Sequence, residues 1–273
     1  MSHPQRILLA PDGVRRLAAT IDREVPDVVG GDDLGVLAHW WSIGDLTPTA
    51  LLGADGHPPR AAGLPDPGTR PVRLFAGATI ERTRPLRAGE WAEVRSVAVP
   101  VRETETAGGR PLSFAEERLE VRADEDFVVR ETRTVVYTVP GPPAERRPAG
   151  SVDRAWERVV VPDERMLFRF SALTWNAHRI HYDRRFAVGT DGHPGLVVHG
   201  PLLAALLADL WEQEDGRPLH RFSFRARAPI HDGEPVVVVG GPSGELAALD
   251  AEDRVVMTAT AESARGAPPW TST

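Results

Sequence analysis

The chain reads as an α+β protein of two similar halves, each an antiparallel sheet wrapped around or facing a central helix, the helix being best formed in the second half. A duplicated segment, a series of alternating strands and one wholly apolar helix lead to that expectation. The duplication shows in "AGATIERTRPLRAGE" at 76–90, which aligns with "HRFSFRARAPIHDGE" at 220–234 at an offset of 144 residues. Further on, "ADEDFVV" at 123–129 aligns with "DAEDRVV" at 250–256 at an offset of 127, so the second copy is 17 residues shorter between its blocks. Two matches in the same order support a duplicated unit better than either alone.

The elements follow in chain order. In the first copy, "EWAEVRSVAV", "LSFAEERLEV" and "FVVRETRTVVYTV" alternate apolar and polar residues as half-buried strands do. Before them, "DGHPPRAAGLPDPGTRP" at 55–71 has five prolines and three glycines, the composition of a long irregular loop, read here as a cover over a substrate tunnel. Residues 139–152, with four prolines and two glycines, suit an extended linker. They divide a first half (1–138) from a second (153–263), and 264–273 reads as a frayed tail. In the second half Gly200 and Pro201 open a helix striped by Leu202, Leu203, Leu206, Leu207, Leu210 and Trp211, which Gly216 closes. That apolar surface is too wide for a helix packed on one neighbour. "HRFSFRARA", "PVVVVG" and "RVVMTATAES" then supply antiparallel strands. A sheet wrapped around one apolar helix is a hot-dog fold, and two copies make a double hot dog.

Composition narrows the function. The 273 residues include 41% hydrophobic ones, enough for a packed core. No apolar run reaches the roughly 18 to 20 residues of a membrane helix, and the N-terminus lacks signal-peptide character, which gives the expectation of a cytoplasmic protein without membrane attachment. There is no cysteine, hence no disulfide, thiolate nucleophile or cysteine metal site. All 32 basic residues are arginine against 39 acidic ones, a formal charge of −7 that argues against nucleic acid as a partner.

Chemistry concentrates in "FSALTWNAHRIHYD" at 170–183 and "GLVVHGPLLAALL" at 195–207. Together these segments resemble the MaoC-like (R)-specific enoyl-thioester hydratases and dehydratases, whose motif runs roughly Phe-x-x-Leu-Ser-Gly-Asp-x-Asn-Pro-Ile-His-x-Asp. Phe170, Leu173, Ile180, His181 and Asp183 match, as does the pair His199-Gly200. The looser likeness over the whole chain is to a double-hot-dog branch with a dehydratase-like first half, which includes hydratases of mesaconyl-type acyl-CoAs. The chain departs from the motif at Asn176, His178 and Arg179, where the family has Asp, Asn and Pro.

The resemblance implies a hydro-lyase in which His181 handles the proton and the N-terminus of the helix at Gly200 receives the thioester oxygen. Asn176 can hold water but cannot take its proton, and a turn-forming role for it is equally open. His178, Asp183 and His199 are supporting candidates, Asp183 chiefly as a cap. Arg179 is a substrate-binding candidate: a fork for an acyl carboxylate, a contact to CoA phosphates or a solvated side chain. His178, His181, His193, His199 and Asp183 lack a zinc-site spacing, so no metal and no cofactor is expected beyond the CoA thioester itself. The expected assembly is a homodimer. Counting back 144 residues from Asn176 and His181 gives Asp32 and Leu37, so the first half reads as non-catalytic and acyl-binding, with His39, Trp40 and Trp41 as either pocket lining or core. A carrier-protein dehydratase and a non-catalytic thioester-binding scaffold are the alternatives.

Overall fold

A computed structural model describes residues 4–61, 63–124, 126–142 and 144–263; the expected tail at 264–273 lies outside the described residues. The first half runs β1 (Gln5–Leu8), α1 (Pro11–Thr20), short 3-10 turns at Ala38–Trp41 and Thr49–Leu51, then β2 (Val72–Arg82), β3 (Trp91–Glu105), β4 (Pro111–Ala123) and β5 (Asp126–Thr138). After β6 (Arg147–Pro148), the second half runs β7 (Trp156–Val160), α2 (Glu164–Leu173), a 3-10 turn at Arg179–His181, α3 (Arg184–Gly189), α4 (Gly200–Glu214), β8 (Leu219–Ala226), β9 (Val236–Gly240), β10 (Glu245–Leu249) and β11 (Arg254–Ser263). All strands join one antiparallel sheet in the order β1-β3-β4-β5-β2-β8-β11-β10-β9-β7, with β6 paired to β11.

The two copies meet along β2 and β8. Thr79 stands opposite Ser223, the same 144-residue separation that aligns the sequence blocks, and their hydroxyls are 2.6 Å apart. The pair therefore marks a pseudo-twofold axis. Gly77 is needed at this seam, since a Cβ there would lie 2.2 Å from the Phe224 carbonyl oxygen. Arg82 closes one end of the seam, donating to the Leu219 carbonyl and, from Nη1, to Asp33 at 2.7 Å. The 17-residue difference falls in the β3–β4 hairpin, whose strands of 15 and 13 residues compare with five each for β9 and β10.

In the second half α4 is buried nearly all round, from Leu202 to Trp211, and packs on β7 through β11. Burying its leucines and tryptophan, at about 1.5–3 kcal/mol per large side chain, anchors that half. Among the described residues the first half has no comparable helix. The turn at 38–41 packs on a buried carboxylate: Glu131 is fully buried and accepts from His39 Nε2 at 2.7 Å, Trp40 Nε1 at 3.0 Å and Arg133 Nε at 2.7 Å. Burial alone would push that carboxyl up, but Arg133 and His39 hold it down to about 2. The segment leading into β6 is fastened to the second half, because Arg146 reaches Glu234 at 2.6 Å and Asp250 at 3.1 Å.

Candidate active site

The motif begins on a helix. Asp163 caps α2 by accepting the Met166 N–H at 2.9 Å, and Met166, Leu167 and Phe170 form its buried face. Residues 170–173 of the motif are the last turn of α2. Trp175 then takes a left-handed conformation with φ +52°, and the Asn176 N–H closes the turn on the Ser171 carbonyl at 2.9 Å. This is the position at which the family motif has glycine, the residue that adopts such a φ without strain.

Asn176 uses its side-chain oxygen locally, accepting the His178 N–H at 2.9 Å. Among the described residues its amide N–H groups have no partner, so the side chain can donate to a water or oxyanion. His181 is 8% exposed, and its Nδ1 is 2.7 Å from the Val197 carbonyl. A carbonyl only accepts, so Nδ1 carries the hydrogen and Nε2 presents a lone pair. Among the described residues Nε2 has no partner, and it is not sealed off as His39 Nδ1, His199 Nδ1 and His231 Nε2 are.

Asp183 caps α3 through the Phe186 N–H at 3.1 Å and holds Arg179 Nη2 at 2.7 Å. Arg179 Nη1 donates to the Ala54 carbonyl at 2.9 Å, and its guanidinium lies over the Phe186 ring. Each of its three nitrogens has a partner, so the side chain braces the loop at 54–57 against the turn before α3.

His199 caps α4 with its backbone, its carbonyl accepting from Leu202 and Leu203 at 3.0 and 3.2 Å. Pro201 has no N–H. That leaves the Gly200 N–H as the first-turn donor without a partner among the described residues, at the positive end of the helix dipole. A Cβ at Gly200 would meet Phe75 Cδ1 of the first half at 3.4 Å.

The rings form a row. His199 stacks on His181 with centroids 3.7 Å apart, His181 meets the edge of His178 at 5.3 Å, and His178 lies 3.9 Å from His57. On the other side His199 contacts Phe170, which meets Trp41 at 6.1 Å, so the first-half tryptophans are packed next to the site. Burial drives the imidazoles neutral: His181 is pushed down to about 4, and His178, further disfavoured by His57 and His181, to about 2. His199, fully buried beside His181, is held well below the usual range.

His57 was not legible as a site residue. Its Nδ1 is 2.9 Å from Asp55 Oδ2, and its backbone N–H donates to Asp55 Oδ1 at 3.0 Å. This Asp-x-His turn is clamped to the motif, since the Arg179 N–H donates to the Asp55 carbonyl at 2.9 Å. The spacing was visible in "DGHPP", where a carboxylate two residues before a histidine can bond both its backbone and its ring. Asp55, His57 and His178 also offer ligand atoms within 4.8 Å of one another. The Asp55–His57 hydrogen bond accounts for two of the three, and His178 joins them by packing its ring on His57. The zinc set weighed from sequence does not converge: His193 pairs with His231 and Asp183 caps α3.

Known proteins resemble the chain in sequence and in fold. The pattern of the family described as hydroxyacyl-thioester dehydratase type 2 matches residues 38–232. The chain is 40% identical over 241 residues to the mesaconyl-C(4)-CoA hydratase of Chloroflexus aurantiacus, covering 86% of this chain and 84% of that one. Its fold is similar to that of a MaoC-like dehydratase from Phytophthora capsici, with a TM-score of 0.68, 14% identity and 96% of each chain covered. A Mycobacterium tuberculosis protein described as a double hot dog is similar with a TM-score of 0.55 and 14% identity, again over 96% of each chain. These two likenesses bear on the fold alone.

Proposed function

We propose, from the premise that the chain belongs to the type 2 hydroxyacyl-thioester dehydratase family and is a MaoC-like hydro-lyase, that it hydrates a short branched or dicarboxylic enoyl-CoA of the mesaconyl kind. One observation carries the site reading. His181, with its open Nε2, stacks on His199, whose neighbour Gly200 has an unpartnered N–H, so a base and an oxyanion donor lie close together. His181 Nε2 takes a proton from water as the oxygen bonds to the β carbon. The double-bond electrons move to the thioester oxygen, where Gly200 N–H and the α4 dipole stabilise the enolate. The enolate's α carbon then takes the proton back from Nε2. A histidine lowered to about 4 gives up that proton readily, which suits a transient store. Asn176 donates to the water oxygen. Reversal of these steps dehydrates a 3-hydroxyacyl thioester.

Identity of 40% with a mesaconyl-C(4)-CoA hydratase supports the choice of acyl group and carrier. The reading includes a homodimeric, cytoplasmic enzyme without metal or organic cofactor, checked by sedimentation and by activity after chelation. The test is loss of enoyl absorbance with a panel of short, branched and dicarboxylic enoyl-CoAs. Turnover of a mesaconyl-type thioester, reduced by on the order of 10² to 10⁴ in a folded His181→Ala variant, is the expected result. Turnover only of the same acyl groups on a carrier protein would favour the carrier-protein dehydratase. None with either carrier would favour a scaffold.

A further inference from the structure

A hydratase site of this kind handles two hydrogens of water, and His181 accounts for one. The residue at 176 is an amide with no basic atom, and its oxygen is already turned to the His178 N–H. The carboxylate nearest the row of imidazoles comes instead from the first half of the chain. Asp55 stays ionised, held below the usual carboxylate range by the His57 hydrogen bond against the opposing effect of burial. With Asp55 on Nδ1, only Nε2 of His57 is left to act. It has no partner among the described residues and is not sealed from solvent. His57 packs on His178, which abuts His181, and a charge on His57 is felt at both.

We infer that Asp55 and His57 form a water-orienting pair, contributed by the first half to the second half's active site in place of the carboxylate that Asn176 lacks. The inference rests on the hydratase reading above. His57 Nε2 accepts a hydrogen bond from the attacking water, whose other proton passes to His181 and then to the α carbon. The hydrogen on His57 stays with the oxygen and becomes that of the product hydroxyl, so the atoms balance. Asp55 accepts from Nδ1 and fixes that tautomer, as a carboxylate does in any imidazole–carboxylate pair.

The experiment compares wild type, His57→Ala, His57→Phe and Asp55→Asn in the enoyl-CoA assay, each with its melting temperature. Both His57 variants should lose on the order of 10² or more in kcat with KM changed less than about threefold. Free imidazole should restore part of the rate of His57→Ala and none of His57→Phe. Asp55→Asn should lose about tenfold or more through kcat. Near-wild-type activity of His57→Phe, which keeps a ring against His178, would reduce His57 to packing and overturn the inference. So would a His57→Ala rate unmoved by substitution, or lost and unrescued by imidazole. Loss of wild-type activity to a chelator with recovery on zinc would assign the side chains to a metal and overturn it as well. If wild type turns over no thioester, the hydratase reading fails first and this inference with it.

Discussion

At Asn176 a single amide decides how much of the site a sequence can convey. Its place in the motif was readable, and so was its inability to act as a base. Its engagement with the His178 N–H was not, because an asparagine that turns a chain and one that holds a water look alike until the backbone is known. Asn176→Asp keeps that acceptor and adds a carboxylate beside the imidazoles, so its kcat should equal or exceed wild type. Asn176→Ala loses the turn and should lower kcat/KM by about tenfold, read by steady-state kinetics. The histidines also set a pH dependence. His178 and His181 titrate at about 2 and about 4 when folded, against 6.5 when free. Between about pH 4 and 6.5 the unfolded chain therefore binds protons that the folded chain refuses. Stability is full above 6.5 and falls as pH drops, by about 1.4 kcal/mol per pH unit for each histidine. Glu212 opposes this: burial raises it to about 7, so it favours folding below its free value of 4.5 and loses that contribution as pH rises toward 7. Urea titrations from pH 4.5 to 7.5 should show a net decline on the acid side, flattened in a His178→Gln, His181→Gln double variant.

Among the elements, α4 was legible because a helix apolar on every face has one place to go, inside a sheet. The short helix α2 was hidden under the motif it carries. Its stripe of Met166, Leu167 and Phe170 lies directly before the residues that drew notice as chemistry. The Asp55–His57 turn was harder still, since it sits in a proline- and glycine-rich segment whose docking depends on residues some 125 positions away. Gly56 tests that docking. It has φ +88°, and a Cβ there would lie 1.8 Å from the Ala177 carbonyl oxygen. Gly56→Ala must push the turn away from the motif, at a strain of about 1–3 kcal/mol. We expect a melting temperature lower by several degrees and a loss of activity of at least tenfold, the second out of proportion to the first. Unchanged kinetics would show that the turn does not shape the site.

For the molecule as a whole, the repeat predicted a doubled fold, and the structure converts its offset into a physical axis at Thr79 and Ser223. What the repeat concealed is how far the copies have diverged inside. Glu131 sits in a strand whose alternation suggests a surface carboxylate, yet it is buried on Arg133, His39 and Trp40. If the proposed site draws on both copies, activity should return last on dilution from urea, after the far-ultraviolet dichroism that reports local hairpins such as β3–β4–β5. Recovery of both signals with one rate constant would mean that the halves form together. The seam between β2 and β8 has a further consequence, for the chain as it is made. Arg82 ends β2 and Leu219 begins β8, 137 residues later. At about 5–20 residues per second a ribosome needs on the order of ten seconds to supply the missing neighbour. Through that interval the nascent first half exposes the hydrogen-bonding edge of β2, a template for any other unpaired strand. Ribosome-bound chains that stop short of 219 should therefore be captured by chaperones or pair with one another, whereas chains extended past 226 should not.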